Sequence, residues 1–332
     1  MLRRILRFRR WKTGFSILIV YGAVSITYYL LPWKVREPVY RRVPKIDRAL
    51  QRSGFRIFQG WDGLALFGRD AQAELERKGR GDHVYGGYPS QGFQFWGKAE
   101  RLDNRGYTVG YSESMRNPLW SAYRVFDVPR LSSGKRPSGF PSDARTRAKV
   151  VQGDYTHSGF DRGHMAPNYA IATRYGEQAQ KETFLMSNII PQTPYVNRGM
   201  WKDLEMHVAK RYGRYFGEVW VICGPVFEKT VEKLDSGVPV PSHYYKIIAD
   251  EHDGRLRVLA FLVEKRCPPY TRIKKRLVSI DEIEQRTGLD FFPELPERMQ
   301  QELEAEPASR LWPWMVSAVR YYFGGRLNPE AP

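Results

Sequence analysis

The residues best suited to chemistry in this chain are concentrated between Asp154 and Glu205. Arg162 precedes His164 by two positions, so on an extended segment both side chains lie on one face. A histidine with an ordinary pKa is a good general base at physiological pH, and a guanidinium can grip a phosphate with a fork of donors. Phosphodiester cleavage requires deprotonation of water and neutralisation of charge on the phosphate and the leaving oxygen. The pair therefore indicates that reaction.

A second histidine, His157, lies seven residues before His164. This is an odd separation, so a continuous strand would place the two rings on opposite faces. We therefore expect one functional and one incidental histidine. The neighbouring arginine, together with Gly163, which permits a tight backbone path, favours His164.

Downstream of His164, the residues Asn197, Trp201 and Glu205 follow one another at intervals of four. On a helix they form a stripe that turns slowly around the helix axis. Asn197 could give one amide oxygen to a metal ion that otherwise keeps its waters, as magnesium prefers. Glu205, two turns further on, could accept hydrogen bonds from those waters. Spacing alone favours the ordinary interpretation, an N-cap asparagine and a solvated glutamate.

Several ordered motifs resemble the DNA/RNA non-specific endonuclease family. They are Asp161-Arg162-Gly163-His164, then 187–192, then Asn197 followed by Trp201-Lys202-Asp203-Leu204-Glu205. Further segments that resemble the family are 109–111, 116–120, 221–227, 240–246 and 280–290, so the resemblance covers roughly residues 84–295.

The resemblance implies a ββα-metal (His-Me finger) fold, in which a short hairpin and a helix clasp one Mg²⁺, with Mn²⁺ as a substitute. It implies that His164 is the general base and that Asn197 is the sole direct protein ligand of the metal. Glu205 would orient the water shell of the metal. The implied reaction is hydrolysis of DNA and RNA, without sequence specificity, to products with a 5′-phosphate.

Three other residues receive roles from the resemblance. Arg162 would stabilise the phosphate, and Asp161 would fix neighbouring backbone or metal waters. Arg136 would be a second phosphate arginine, although its loop aligns poorly. A basic segment supports a polyanionic partner independently, since residues 124–149 contain seven lysines and arginines against two aspartates. A solvated loop would explain that segment equally well.

The pattern of elements predicts an α+β protein with a mixed, mainly antiparallel sheet. Alternation predicts a strand over 107–112, and short apolar runs predict strands over 219–223 and 257–262. Helices are predicted over 197–211 and 279–288. The predicted organisation is a basic segment 1–12, a transmembrane anchor 13–33, a connector 34–83, a nuclease domain 84–295 and a tail 296–332. Within the connector a polar helix is expected over 71–76, and the tail is expected to contain a Gln/Glu helix and an aromatic run that packs on its own domain.

The N-terminal segment has the character of a membrane anchor. Residues 13–33 carry no formal charge, and a helix of that length spans the roughly 30 Å hydrocarbon core. Six basic residues precede it and five follow closely, which favours a cytoplasmic N-terminus with the nuclease domain on the periplasmic or extracellular side. Two other interpretations of this segment remain open. One is a mitochondrial presequence followed by an inner-membrane anchor, and the other is a cleaved signal peptide.

Composition limits the other classes. The formal charge is +17, and residues 1–50 hold 12 basic against two acidic residues, so the globular part is only mildly cationic. Two cysteines, Cys223 and Cys267, exclude a disulfide scaffold and a four-thiolate zinc site, but their pairing stays open. The alternative function is an inactive membrane tether that binds nucleic acid or anionic lipid. Whether the chain forms a homodimer is also left open.

Overall fold

The computed structural model of the 332-residue chain describes residues 83–312, with gaps at 92–95, 128–133, 253–254 and 269–270, and scattered positions between 19 and 53. The chain divides into two units, Met1–Arg69 and Asp70–Pro332. In the first unit residues 19–25 are helical. Within the part of the chain that is described, no helix has both the length and the apolar character needed to cross a bilayer. The basic segment 1–12, most of the predicted anchor 13–33 and the connector helix 71–76 lie outside the described residues.

A seven-stranded antiparallel sheet forms the centre of the second unit, which confirms the α+β prediction. Its strand order is β10-β9-β8-β7-β4-β3-β2. The strands are β2 Ala99–Asp103, β3 Thr108–Ser112, β4 Asn117–Phe126, β7 Glu218–Val226, β8 His243–His252, β9 Arg255–Glu264 and β10 Leu277–Val278. Two small sheets flank it, one pairing β1 Ser90–Gln91 with β11 Leu289–Asp290 and one pairing β5 Asp161–His164 with β6 Ile189–Gln192.

Both faces of the central sheet are covered, so its strands are apolar along most of their length rather than alternating. On one face Tyr245 and Ile247 of β8 join a core cluster that includes Ile283. The intervening residues of β8 point to the other face, where Tyr244 and Lys246 both approach the ring of Trp201. That second face supports the elements that carry the predicted site.

The described part of this unit also contains four α-helices of seven residues or more and several shorter helical segments. The helices are α1 Asn168–Glu182, α2 Trp201–His207, α3 Ile280–Thr287 and α4 Glu297–Glu304. Two wide π-type segments, Val196–Met200 and Val208–Tyr212, and a last turn, Gly213–Tyr215, make α2 part of a longer helical run. The shorter 3-10 turns are Gln152–Tyr155, Met186–Asn188 and Ile273–Arg276.

Helix α3 shows why its bounds could be predicted. Ser279 caps the N-terminus, since its Oγ accepts a hydrogen bond from the Glu282 amide at 3.1 Å. Gly288 ends the helix in the left-handed conformation with φ of 69°. The predicted strands and the helical run after residue 197 are likewise confirmed, whereas α1 was not predicted.

The described part of the tail contains α4, as expected, and Trp312, which is 7% exposed. The Trp312 ring packs against Tyr212 at 5.2 Å between centroids and against Phe216 at 5.8 Å. The aromatic run therefore packs on its own unit at this position, and residues 313–332 lie outside the described residues. Cys223 and Cys267 are both buried free thiols, so they do not pair.

Candidate active site

The hairpin of β5 and β6 positions the predicted base. His164 pairs with Ile189, and Asp161 pairs with Gln192, in an antiparallel register. Gly163 is required here, because a Cβ at this position would lie 2.2 Å from Oε1 of Gln192. The glycine thus leaves room for the Gln192 side chain directly beside His164.

The chain after His164 is held by the buried amide of Asn188. Its Oδ1 accepts a hydrogen bond from the Ala166 amide at 2.9 Å, and its Nδ2 donates to the Ala166 carbonyl at 3.0 Å and to the Thr183 carbonyl at 2.9 Å. These bonds tie the backbone just after His164 to Asn188, which directly precedes β6, and through Asn188 to Thr183 at the end of α1.

The ring of His164 lies between two aromatic side chains. Its centroid is 5.5 Å from that of Phe140 and 4.8 Å from that of Phe184. Its Nε2 atom is buried and has no hydrogen-bond partner among the described residues. Burial lowers the pKa of His164 to about 3, and the positive charge of Arg136 adds to this effect. The imidazole is therefore neutral at physiological pH, and its pKa lies below the ordinary value that the sequence analysis assumed for a general base.

The predicted metal ligand is oriented by Asp161. Nδ2 of Asn197 donates to Oδ2 of Asp161 at 2.9 Å. A carboxylate accepts but does not donate, so the amide nitrogen must face it and the amide oxygen must point elsewhere. Arg198 binds both oxygens of the same carboxylate, with its Nε donating to Oδ2 at 2.7 Å and its Nη2 donating to Oδ1 at 2.5 Å. The structure thus makes Asp161 an orienting residue for Asn197.

Trp201 connects the helical run to the hairpin. It lies four residues after Asn197, and its indole Nε1 donates to the His164 carbonyl at 3.2 Å. Asn197 itself lies in the wide π-type segment Val196–Met200, in which Gly199 departs from helical geometry. The base and the predicted ligand are therefore joined twice, through Trp201 and through the carboxylate of Asp161 on the same strand as His164.

Glu205 lies one turn beyond Trp201 above a buried lysine. Burial raises the pKa of Glu205 to about 7, while the positive charges of Lys246, Lys202 and Arg136 oppose the rise. Lys246 is 0% exposed, with its Nζ 4.1 Å from the centroid of the Trp201 ring and 3.2 Å from the hydroxyl oxygen of Tyr123. A fully buried ammonium is rare and needs compensation, which aromatic faces and a nearby carboxylate supply.

Arg162 lies on the same side of β5 as His164, as the sequence predicted. Its guanidinium lies 5.7 Å from the centroid of Phe140, the ring that also borders His164. Both Nε and Nη2 donate to the carbonyl of Gln152, at 3.3 and 2.8 Å, which fixes the side chain near the rim of the site.

Arg136 lies in a cavity beside His164. The guanidinium lies 5.3 Å from the centroid of the Phe184 ring. Its positive charge helps to lower the pKa of the His164 imidazole. The cavity has a volume of about 780 Å³, and its lining includes Lys135, Arg136, Phe140, Lys181 and Phe184. Basic side chains thus border a surface that also presents two aromatic rings.

Three of the basic residues in the segment 124–149 are paired with carboxylates, so the segment offers less free positive charge to a phosphate backbone than its sequence suggests. Arg124 pairs with Glu218 at 3.2 Å, Arg145 with Asp143 at 2.7 Å, and Arg147 with Glu100 at 2.5 Å. Lys135 and Arg136 are the basic residues of this segment that line the cavity. Arg130 lies outside the described residues.

Sequence reasoning missed several contributors to this geometry. Phe140 and Phe184 are distant in the sequence from the motif, and neither carried a recognisable pattern. Arg198 and Lys246 lay within the motif segments, but their roles depend on ion pairing and burial that spacing does not reveal. His157 is exposed, in a loop with φ of 59°, and is not part of β5.

The comparison with known families decides the identity of the domain. The model of the DNA/RNA non-specific endonucleases matches residues 86–298. The chain belongs to the DNA/RNA non-specific endonuclease family. Family members similar to it include the mitochondrial nuclease EXOG of Danio rerio, 33% identical over 222 residues that make up 60% of this chain. The match covers 64% of that relative, which is less than two thirds of its length.

Other family members show the same extent of similarity. The human mitochondrial endonuclease G is 29% identical over 215 residues, which cover 60% of this chain and 71% of the relative. The Serratia marcescens nuclease is 30% identical over 212 residues, which cover 60% of this chain and 78% of the relative. A chain in the crystal structure of the EndoG/EndoGI complex superposes with a TM-score of 0.55 at 26% identity, covering 62% of this chain and 90% of that chain.

Proposed function

We propose that this member of the DNA/RNA non-specific endonuclease family is a magnesium-dependent hydrolase that cleaves DNA and RNA internally to products with a 5′-phosphate. The observation that carries the proposal is the fixed amide of Asn197, whose nitrogen is held by Asp161 on the strand that ends at His164. An amide oxygen turned away from Asp161 and a neutral imidazole on the same strand as Asp161 offer the oxygen donor and the base that a single-metal phosphodiesterase requires.

In this mechanism His164 accepts a proton from the attacking water at Nε2. Burial between Phe140 and Phe184 keeps the ring neutral and limits competing contacts of this atom with bulk water. Trp201 fixes the backbone carbonyl of His164, and Phe140 and Phe184 pack on its ring, so the position of the imidazole is set before substrate binds. Arg162 and Arg136 neutralise charge on the phosphate from the rim and the cavity.

The donor set fits a hard cation. Asn197 offers one carboxamide oxygen, and Glu205 offers a carboxylate that can accept hydrogen bonds from water molecules in the ion's shell. Buried thiol Cys223 does not enter the set, because its Sγ donates to the Met165 carbonyl. When bound, magnesium would supply Lewis-acid stabilisation of the phosphate and of the leaving oxygen.

The cavity chemistry supports a substrate that is recognised through its backbone. Lysine and arginine side chains bind phosphates, and aromatic rings accept the face of any base or sugar. Contacts to a phosphate or to the face of a ring carry no sequence information, so a lining used in this way favours cleavage without sequence specificity and without choice between DNA and RNA.

The test of this proposal is digestion of circular plasmid in Mg²⁺ by the purified full chain. The His164→Ala variant is compared with His157→Ala, which removes the same side chain from an exposed loop. We expect the wild type and His157→Ala to linearise the plasmid and His164→Ala to lose at least ~100-fold in rate. Equal rates for all three proteins would refute the role of His164. A wild type that binds plasmid but leaves it intact would identify the inactive tether instead.

The location of the domain has two candidate interpretations. In the first, the predicted anchor over residues 13–33 crosses a membrane once with a cytoplasmic N-terminus. In the second, the chain lies at the mitochondrial inner membrane. The relatives named as mitochondrial nucleases support the second interpretation. Protease protection of intact mitochondria or cells distinguishes the two, since it reports the side on which the domain lies.

Light scattering of the purified chain would decide between a monomer and the homodimer.

A further inference from the structure

A group of carboxylates lies on the helices that follow the central sheet, within the second unit and separate from the hairpin of His164. Asp281 and Glu284 are three residues apart on α3 and share one face of that helix. Glu304 is the last residue of α4. One oxygen from each of these three side chains lies within 4.8 Å of the others.

Glu304 is the unusual member of this cluster. Its side chain is 5% exposed, and Oε1 is buried without a hydrogen-bond partner among the described residues. An unpaired buried carboxylate is costly, so its position calls for a positive ligand.

The arginines of the two helices do not supply that charge. Arg286 pairs with Glu282 at 3.1 Å, and Arg298 pairs with Glu302 at 3.1 Å, both along their own helices. Glu284 is held in place from another direction, because its Oε1 accepts a hydrogen bond from the Phe291 amide at 2.7 Å. The cluster therefore combines a fixed carboxylate, a buried unpartnered carboxylate and an exposed one.

We propose that Asp281, Glu284 and Glu304 bind a calcium ion, at a site distinct from that of Asn197. Calcium takes six to eight oxygen ligands at about 2.3–2.6 Å, so two ligand oxygens on opposite sides of one ion lie up to about 5 Å apart. The three oxygens lie within 4.8 Å of one another, inside the span that one calcium ion can bridge. The exposed Asp281 leaves an entry path and room for water ligands.

Without an ion, the carboxylates of α3 and α4 repel one another. A calcium ion bound to all three would instead hold α4 against α3. Since the same helices pack against one another and α3 packs on the central sheet, the site would stabilise the C-terminal part of the unit rather than take part in hydrolysis. The proposal is thus independent of the nuclease activity proposed above.

The experiment is calorimetric titration of metal-free full chain with calcium chloride. All proteins carry Asn197→Ala, so that the proposed catalytic site does not contribute. We expect one bound calcium per chain, and an affinity at least ~10-fold lower when Glu304→Gln is added. Glu302→Gln, which alters an exposed residue of the same helix, is the matched control and should bind calcium unchanged.

A thermal melt provides the second readout. At a calcium concentration about 100 times the dissociation constant of the control, the melting temperature of the control should rise by about 5 °C or more, and that of Glu304→Gln by at most about half as much. If circular dichroism shows that Glu304→Gln does not fold, Asp281→Asn at the exposed ligand replaces it, with the same expected loss. Absence of calcium binding in the Asn197→Ala parent, or equal affinity in the parent and the ligand variants, would overturn the proposal.

Discussion

The bond between Asp161 and Asn197 offers the sharpest test of how the site is organised. In Asp161→Asn the side chain keeps its size but loses its charge, and its amide can present either a donor or an acceptor. Asn197 is then free to turn its oxygen toward residue 161 and away from the metal. We expect slower hydrolysis and a higher Mg²⁺ requirement, with little loss of nucleic-acid binding.

The magnitude follows from the contacts. A hydrogen bond to a charged acceptor contributes about 1.5–3 kcal/mol, which corresponds to a ~10- to 100-fold loss in rate at limiting Mg²⁺. The ion pair with Arg198 contributes less, about 0–1 kcal/mol, because the Arg198 side chain is 59% exposed. Arg198→Gln keeps the bond between Asp161 and Asn197, so this control should lose less than about fivefold.

The assay is the initial rate of plasmid cleavage over a range of Mg²⁺ concentrations, together with a thermal melt. Partial rescue of Asp161→Asn by excess Mg²⁺, at a melting temperature within a few degrees of the wild type, is the expected pattern. A wild-type Mg²⁺ dependence in Asp161→Asn would refute the orienting role. An equal loss in Arg198→Gln would show that the ion pair, rather than the amide bond, is what matters.

Three further predictions concern the neighbourhood of the site. Burial raises the pKa of Glu205 to about 7, so the carboxylate gains a proton and cleavage slows as the pH falls through that value; a pH–rate profile without an acid limb near pH 7 would contradict this. Lys246→Met removes a buried charge that lowers the pKa of Glu205, so the acid limb of the pH–rate profile should move to higher pH. The value of kcat should fall by about tenfold, while the melting temperature changes little. An unshifted profile would show that Lys246 does not affect the protonation of Glu205. Lys135→Glu reverses a charge in the cavity, so the chain should bind an oligonucleotide more weakly. Fluorescence anisotropy in EDTA measures this binding, and its salt dependence should fall by the equivalent of about one to two phosphate contacts. An unchanged salt dependence would show that the nucleic acid binds outside the cavity.

Two outcomes show where local sequence sufficed and where it did not. Helix α3 could be bounded from Ser279 and Gly288, because capping depends on residues within a few positions. The basic segment 124–149 was harder to interpret, because net charge counts side chains without their partners. Glu218 and Glu100, which neutralise two of its arginines, lie far away in the chain and meet them only in the folded protein.

The sequence by itself determined the family motifs, the α+β class and the helical run that carries Asn197 and Glu205, because periodicity, capping and short motifs are properties of neighbouring residues. Only the tertiary structure decided how the site is assembled. The register of the hairpin brings Asp161 to the amide of Asn197, 36 residues away, and the sheet places Lys246 beneath Trp201. Such contacts depend on strand pairing and burial, which set distances between residues that are remote in the chain.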